Sequence, residues 1–128
     1  SSDVCSSDLR KATLTNKALE SFAQNLSLLH KIEKLEIILA NCEGVSDKGL
    51  NSLTKAIEEF RLLKTLTFSL SSCNGISDIS MQSLKKHLHQ TTGVKTVNVN
   101  IFSCRNVTKF GLETLQTGNN FTCNINYI

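Results

Sequence analysis

Five cysteines and three histidines are the side chains of this 128-residue sequence best suited to chemistry. Cys42, Cys73 and Cys104 stand 31 residues apart, with no insertion or deletion between them. A zinc site needs ligands two to four residues apart that converge on one point. No C-x-x-C occurs here, so no metal site is expected. Cys123 lies outside this column, and Cys5 lies in a segment set aside below. His87 and His89 follow Lys85 and Lys86, either as a basic patch for an acidic partner or as a solvated helix face. His87 aligns with Ala56 and is expected to be half-buried; His30 aligns with Arg61 on an exposed linker. No Ser, Cys and His recur so that the spacing would unite a nucleophile with a base. The expectation is therefore no catalytic residue, no cofactor and no enzyme activity. Asn25, Asn106 and Asn120 open N-x-[ST] triplets. They are expected to stay unmodified, since a glycan at Asn25 or Asn106 would crowd the next copy of the pattern.

The cysteine spacing belongs to a longer self-similarity, the mark of a repeat architecture. Residues 35–53 read L-E-I-I-L-A-N-C-E-G-V-S-D-K-G-L-N-S-L. One period later, residues 66–84 read L-T-F-S-L-S-S-C-N-G-I-S-D-I-S-M-Q-S-L, and residues 97–115 read V-N-V-N-I-F-S-C-R-N-V-T-K-F-G-L-E-T-L.

Each copy opens on an alternation of apolar residues: Leu35, Ile37, Leu39; Leu66, Phe68, Leu70; Val97, Val99, Ile101. Period two predicts a half-buried strand, with the residues between facing the other side. Ser46, Ser77 and Thr108 align with Thr15, and all four are expected to be helix N-caps. Asp47 and Asp78 follow, where a carboxylate suits the positive end of a helix. Helical spacing then takes over in Leu19, Phe22, Leu26; Leu50, Leu53, Ile57; and Met81, Leu84, Leu88. Ala18, Gly49, Ser80 and Gly111 form a column of small residues that lets the helix start lie close to the strand layer. Ile32, Leu63, Val94 and Ile125 form an apolar column leading into each next strand. In the last copy Asn119 replaces an apolar residue. Its helix is expected to end near Gly118, with residues 119–124 as an irregular connection.

A strand and a helix per copy, with L-x-x-L-x-L and a cysteine column, resembles the leucine-rich repeat family over everything from Arg10 onward. Residues 32–45, I-E-K-L-E-I-I-L-A-N-C-E-G-V, carry one extra apolar-x pair, giving a repeat longer than the usual range of about 20 to 29 residues. The S-D-x-G-L segment resembles the ribonuclease-inhibitor-like and cysteine-containing subclasses, in the long form of protist repeats. The resemblance implies an α/β solenoid, a horseshoe arc with parallel strands on the concave face and helices on the convex face. With the period, it also implies that Cys42, Cys73 and Cys104 stack as a structural ladder of free thiols turned inward near loop carbonyls. The outward strand residues would then form a concave binding face of three columns: Glu36, Thr67, Asn98; Ile38, Ser69, Asn100; and Ala40, Ser71, Phe102. Solenoids of this kind bind partners on that face.

Residues 3–9, D-V-C-S-S-D-L, resemble a translated sequencing adapter, so residues 1–9 are read as a non-native segment. One period before Leu39 falls on Asp8, where an apolar strand residue would be required. The repeat region runs over residues 10–128: a partial copy at 10–33, copies at 34–64, 65–95 and 96–126, and the start of a further strand at 127–128. Neither end carries an atypical capping copy, so the chain is read as an internal fragment of a larger protein, open to end-to-end self-association. No run of eighteen apolar residues exists to span a membrane. A net charge of +3, no Trp and one Tyr argue against nucleic acid as partner. The expected function is non-catalytic binding of an unidentified protein in the cytoplasm, where unpaired thiols persist. The alternatives are the substrate-recognition repeats of an F-box-type ubiquitin-ligase receptor, repeats appended to an enzyme such as a protein kinase, and a purely structural role.

Overall fold

The computed structural model describes residues 4–8, 14–91 and 93–127. Five strands form one parallel sheet in chain order: β1 (Val4–Asp8), β2 (Lys34–Ala40), β3 (Thr65–Ser71), β4 (Thr96–Phe102) and β5 (Thr122–Tyr127). Each crossover between described strands carries a helix: α1 (Asn16–Leu26), α2 (Asp47–Ala56, extended by a 3-10 turn at Ile57–Glu59), α3 (Asp78–His89) and α4 (Lys109–Gln116). The fold class is α/β.

Strict alternation of buried and half-exposed residues along β3 and β4 shows how the pleat works. Leu66, Phe68 and Leu70 point to one side, where Leu50, Met81 and Leu84 of the helices meet them in a single core. The other side of the sheet carries no helix among the described residues. At the end of each central strand one residue takes a left-handed backbone: Asn41 (φ 53°), Ser72 (φ 52°) and Ser103 (φ 57°). That twist swings the next residue, a cysteine each time, under the sheet. A tight turn follows in which Val45, Ile76 and Val107 donate to the carbonyls of Cys42, Cys73 and Cys104.

The register of the three central strands follows the 31-residue period, and the outer two depart from it. β1, within the segment read as non-native, pairs with β2 at an offset of 30, so Cys5 stands opposite Leu35 and Asp8 opposite Ile38. Asp8 thus avoids the Leu39 column. Residues 1–3 and 9–13 lie outside the described residues. At the other end the expected register needs correcting. β5 begins at Thr122, inside the stretch expected to be irregular, and pairs with β4 at an offset of 26. The cause is the short α4, eight residues long, followed by a reversal at Gly118 (φ 67°) that returns the chain early. Ile125 therefore pairs with Val99, not with the column of Ile32, Leu63 and Val94. Residue 127, expected to start a further strand, belongs to β5, and residue 128 lies outside the described residues.

Candidate functional site

The helix-free side of the sheet gathers the outward strand residues into continuous rows. Glu36, Thr67 and Asn98 stand opposite one another, as do Ile38, Ser69 and Asn100, and Ala40, Ser71 and Phe102. All nine are partly exposed. The shifted register of β5 adds Asn124 to the first row and Asn126 to the second.

Two side-chain ladders tie these rows together. Asn98 donates from Nδ2 to Thr67 Oγ1 at 3.2 Å, and Asn124 donates to Asn98 Oδ1 at 3.0 Å. In parallel, Asn100 donates to Ser69 Oγ at 3.0 Å, and Asn126 donates to Asn100 Oδ1 at 2.8 Å. Each asparagine amide has two N–H donors, and the ladder uses one. The result is an uncharged face whose amides are oriented in advance and still carry spare donors. On the β2 side, Ser6 donates to Glu36 Oε1 at 2.9 Å, so the face turns acidic there. Asn124 and Asn126 escape sequence reasoning, because the unbroken period places them in a connection.

The cysteine column is buried: Cys42, Cys73 and Cys104 are free thiols under the sheet edge. Cys42 and Cys73 donate to the carbonyls of Ala40 and Ser71 at 3.3 and 3.4 Å, and Cys104 Sγ lies 3.7 Å from that of Phe102. The Cys73 amide also meets Cys104 Sγ at 3.4 Å. Burial pushes the Cys42 thiol up, and the contact with Cys73 together with burial pushes Cys104 up, so neither is a ready nucleophile. Cys123 sits in β5 opposite Val97, and burial raises it too. Among the described residues, no group of three His, Cys, Asp or Glu could hold a metal.

At the helix starts, Thr15, Ser77 and Thr108 accept from the amides of Ala18, Ile79 and Gly111. Ser46 has the extended backbone of a cap but makes no such bond. Its hydroxyl instead accepts from Asn16 Nδ2 at 2.9 Å. This belongs to a clamp between successive helices. Asn16 Oδ1 accepts from the amides of Ser46 and Gly49, at 2.8 and 3.1 Å. Asp47 accepts from the Ser77 amide at 2.8 Å, the Ser77 hydroxyl at 2.6 Å and the Ser80 hydroxyl. Asp78 accepts from the amide and hydroxyl of Thr108. The carboxylates read as serving their own helix dipole therefore cap the next helix. Small residues at Gly49 and Gly111 leave room for that reach: a Cβ at Gly49 would lie against Asn16 Oδ1, and one at Gly111 against Asp78 Oδ1.

His87 is more buried than its alignment suggests, 6% exposed, and each ring nitrogen has a partner. Nδ1 lies 2.6 Å from Glu58 Oε1 and Nε2 lies 3.2 Å from Asn51 Oδ1. Lys85 is no solvated cation either: its Nζ donates to the carbonyls of Thr114 and Thr117, both at 2.7 Å, and so caps the end of α4. His89 bonds Asn119, and His30 is exposed. His87 thus joins α3 to the helix before it, and His89 joins α3 to the turn that follows α4.

No protein-family model and no curated protein matches the sequence. The fold has a parallel among solved structures. Leiomodin-1 actin-binding site 2 superposes with a TM-score of 0.69 over 98% of this chain and 70% of that one, at 14% identity. A likeness at that identity concerns the path of the backbone alone. No helix among the described residues is long and apolar enough to cross a membrane.

Proposed function

We propose that this chain is part of a leucine-rich repeat solenoid that binds a protein partner through the concave, outward face of its sheet, without catalysis. The observation that carries the reading is the pair of hydrogen-bonded ladders, Thr67–Asn98–Asn124 and Ser69–Asn100–Asn126. Side chains already held in one geometry lose little entropy when a partner docks, so they favour binding over mere solvation. The spare amide donors suit the carbonyls and polar side chains of a protein surface. Unpaired buried thiols fit a reducing compartment, which makes the cytoplasm part of the proposal. Within it, the partner could be a ubiquitin-ligase substrate or the target of an appended kinase; an F-box sequence or kinase motifs in the same protein would decide between these.

The test compares partners captured by the wild type with those captured by Asn98→Ala/Asn100→Ala and by Lys48→Ala/Lys86→Ala on the helical side. Loss with the asparagine pair and retention with the lysine pair is the expected result. The reverse pattern would point to the helical face and a structural role. Actin is a second reading, favoured by the backbone likeness to the actin-binding site of leiomodin-1. Co-sedimentation with filamentous actin, weakened by the asparagine pair, would support it; a chain left wholly in the supernatant would remove it.

A further inference from the structure

The repeat supplies its own comparison for the grooves between successive helices. Between α2 and α3 the groove is closed by a basic side chain of this chain, His87, bonded to Glu58 and Asn51. Between α3 and α4 it is closed by another, Lys85, bonded to the carbonyls of Thr114 and Thr117. Between α1 and α2, no such basic side chain closes the groove among the described residues. The residue one period before His87 is Ala56, and the residue two periods before Lys85 is Ala23. Both alanines line an open groove of about 380 Å³.

The groove nevertheless has oxygen-bearing residues that could receive a basic group. Glu20 stands at the repeat position of Asn51, and Ser27 at that of Glu58, and both line the groove with Glu59. The Ser27 hydroxyl spends its proton on the Gln24 carbonyl at 2.7 Å, which leaves its lone pairs to accept. Among the described residues, neither Glu20 nor Glu59 has an ion-pair partner, although Lys55 lies on the same rim. Two carboxylates against one ammonium leave the groove net acidic.

We infer that the α1–α2 groove is a docking site for a basic side chain, imidazole- or lysine-sized, presented by a protein partner. It would lie over Ala23 and Ala56, with its N–H donors on Glu20 and Ser27, as His87 lies against Asn51 and Glu58. This surface is on the helical side and independent of the outward sheet face.

The experiment is an amide-resolved NMR titration of the full chain with imidazole near pH 6, where an imidazole ring is mostly protonated (pKa about 6.5). So small a probe binds weakly, with a dissociation constant on the order of millimolar or above. Saturable shifts confined to the amides around Ala23, Ser27, Ser52 and Ala56 are expected. Ala56→His, which places the missing ring on the chain itself, should abolish them and raise the melting temperature. Glu20→Gln should weaken binding at least threefold while leaving the circular dichroism spectrum unchanged. No saturable shifts there, shifts centred on the sheet face, or equal binding by folded Ala56→His or Glu20→Gln would each overturn the inference.

Discussion

Asp47 shows how one carboxylate can join two helices. Burial alone would raise its carboxyl, but hydrogen bonds from the hydroxyls of Ser77 and Ser80 and from the Ser77 amide outweigh that and hold it below the ordinary carboxylate range. A lowered folded-state value means that the unfolded chain binds protons first as pH falls. The stabilisation is therefore complete above the ordinary value of about 4 and is lost as pH drops through the folded value. Denaturant melts at stepped pH should show stability falling below about pH 4, and Asp47→Asn should flatten that dependence. Asp47→Ala leaves the Ser77 amide without its acceptor and should cost about 1–3 kcal/mol. The buried thiols make a second prediction at this scale. All three of Cys42, Cys104 and Cys123 are pushed up, so access sets the order: iodoacetamide at neutral pH should label half-buried Cys123 before buried Cys42 or Cys104. Mass spectrometry of timed digests reads the order.

The helix starts carry the prediction for single elements. Gly49 and Gly111 are small because the preceding helix sends a side chain into that space, and Ser80 fits the same position only by supplying a hydroxyl to Asp47. Gly49→Ala should push Asn16 away from the amides of Ser46 and Gly49, costing about 1–2 kcal/mol, of the order of the bonds lost. Ser80→Gly removes the hydroxyl donated to the Asp47 carboxylate and should cost about 1.5–3 kcal/mol. In the strands, Leu70 is 1% exposed at the centre of the core. Leu70→Ala should cost about 2–5 kcal/mol as a large-to-small core change. Ser69→Ala, one residue away on the outward face, loses a single acceptor for Asn100 and should cost under about 1 kcal/mol. Urea melts of the pair measure how sharply the two faces of β3 differ.

At the scale of the molecule, every pairing in the sheet joins strands adjacent in chain order, and each helix packs on its sequence neighbours. Such a layout divides labour between faces. The inward side is a continuous core, and the outward side is free to carry amide ladders that do nothing for packing. Asn98→Ala/Asn100→Ala removes four half-exposed hydrogen bonds and should therefore lower the melting temperature by only about a few degrees while removing the proposed binding. A large drop in melting temperature would show that the ladders hold the sheet together, and would weaken the case for a binding face.

Much of this was open to reading from residue types alone. The alternation in Leu66, Phe68 and Leu70, the hydroxyls at 15, 46, 77 and 108, and the cysteine period determine strands, helix starts and register wherever the chain repeats itself without change. They do so because side-chain direction alternates along a strand and helix ends need caps, both local rules. The inter-helix clamp was also in reach, since Asn16, Asp47 and Asp78 recur at the period; what hid it is that a carboxylate at the first residue of a helix suits its own dipole just as well. Only the tertiary structure decided the rest. β5 pairs where a short α4 and the turn at Gly118 deliver it, which brings Asn124 and Asn126 into the ladders. Lys85 reads as surface charge and His87 as a half-buried ring without named partners until neighbouring helices offer them oxygens. Register after a length change and the partners of long side chains are set by packing across the fold, and a periodic pattern in one dimension does not contain that information.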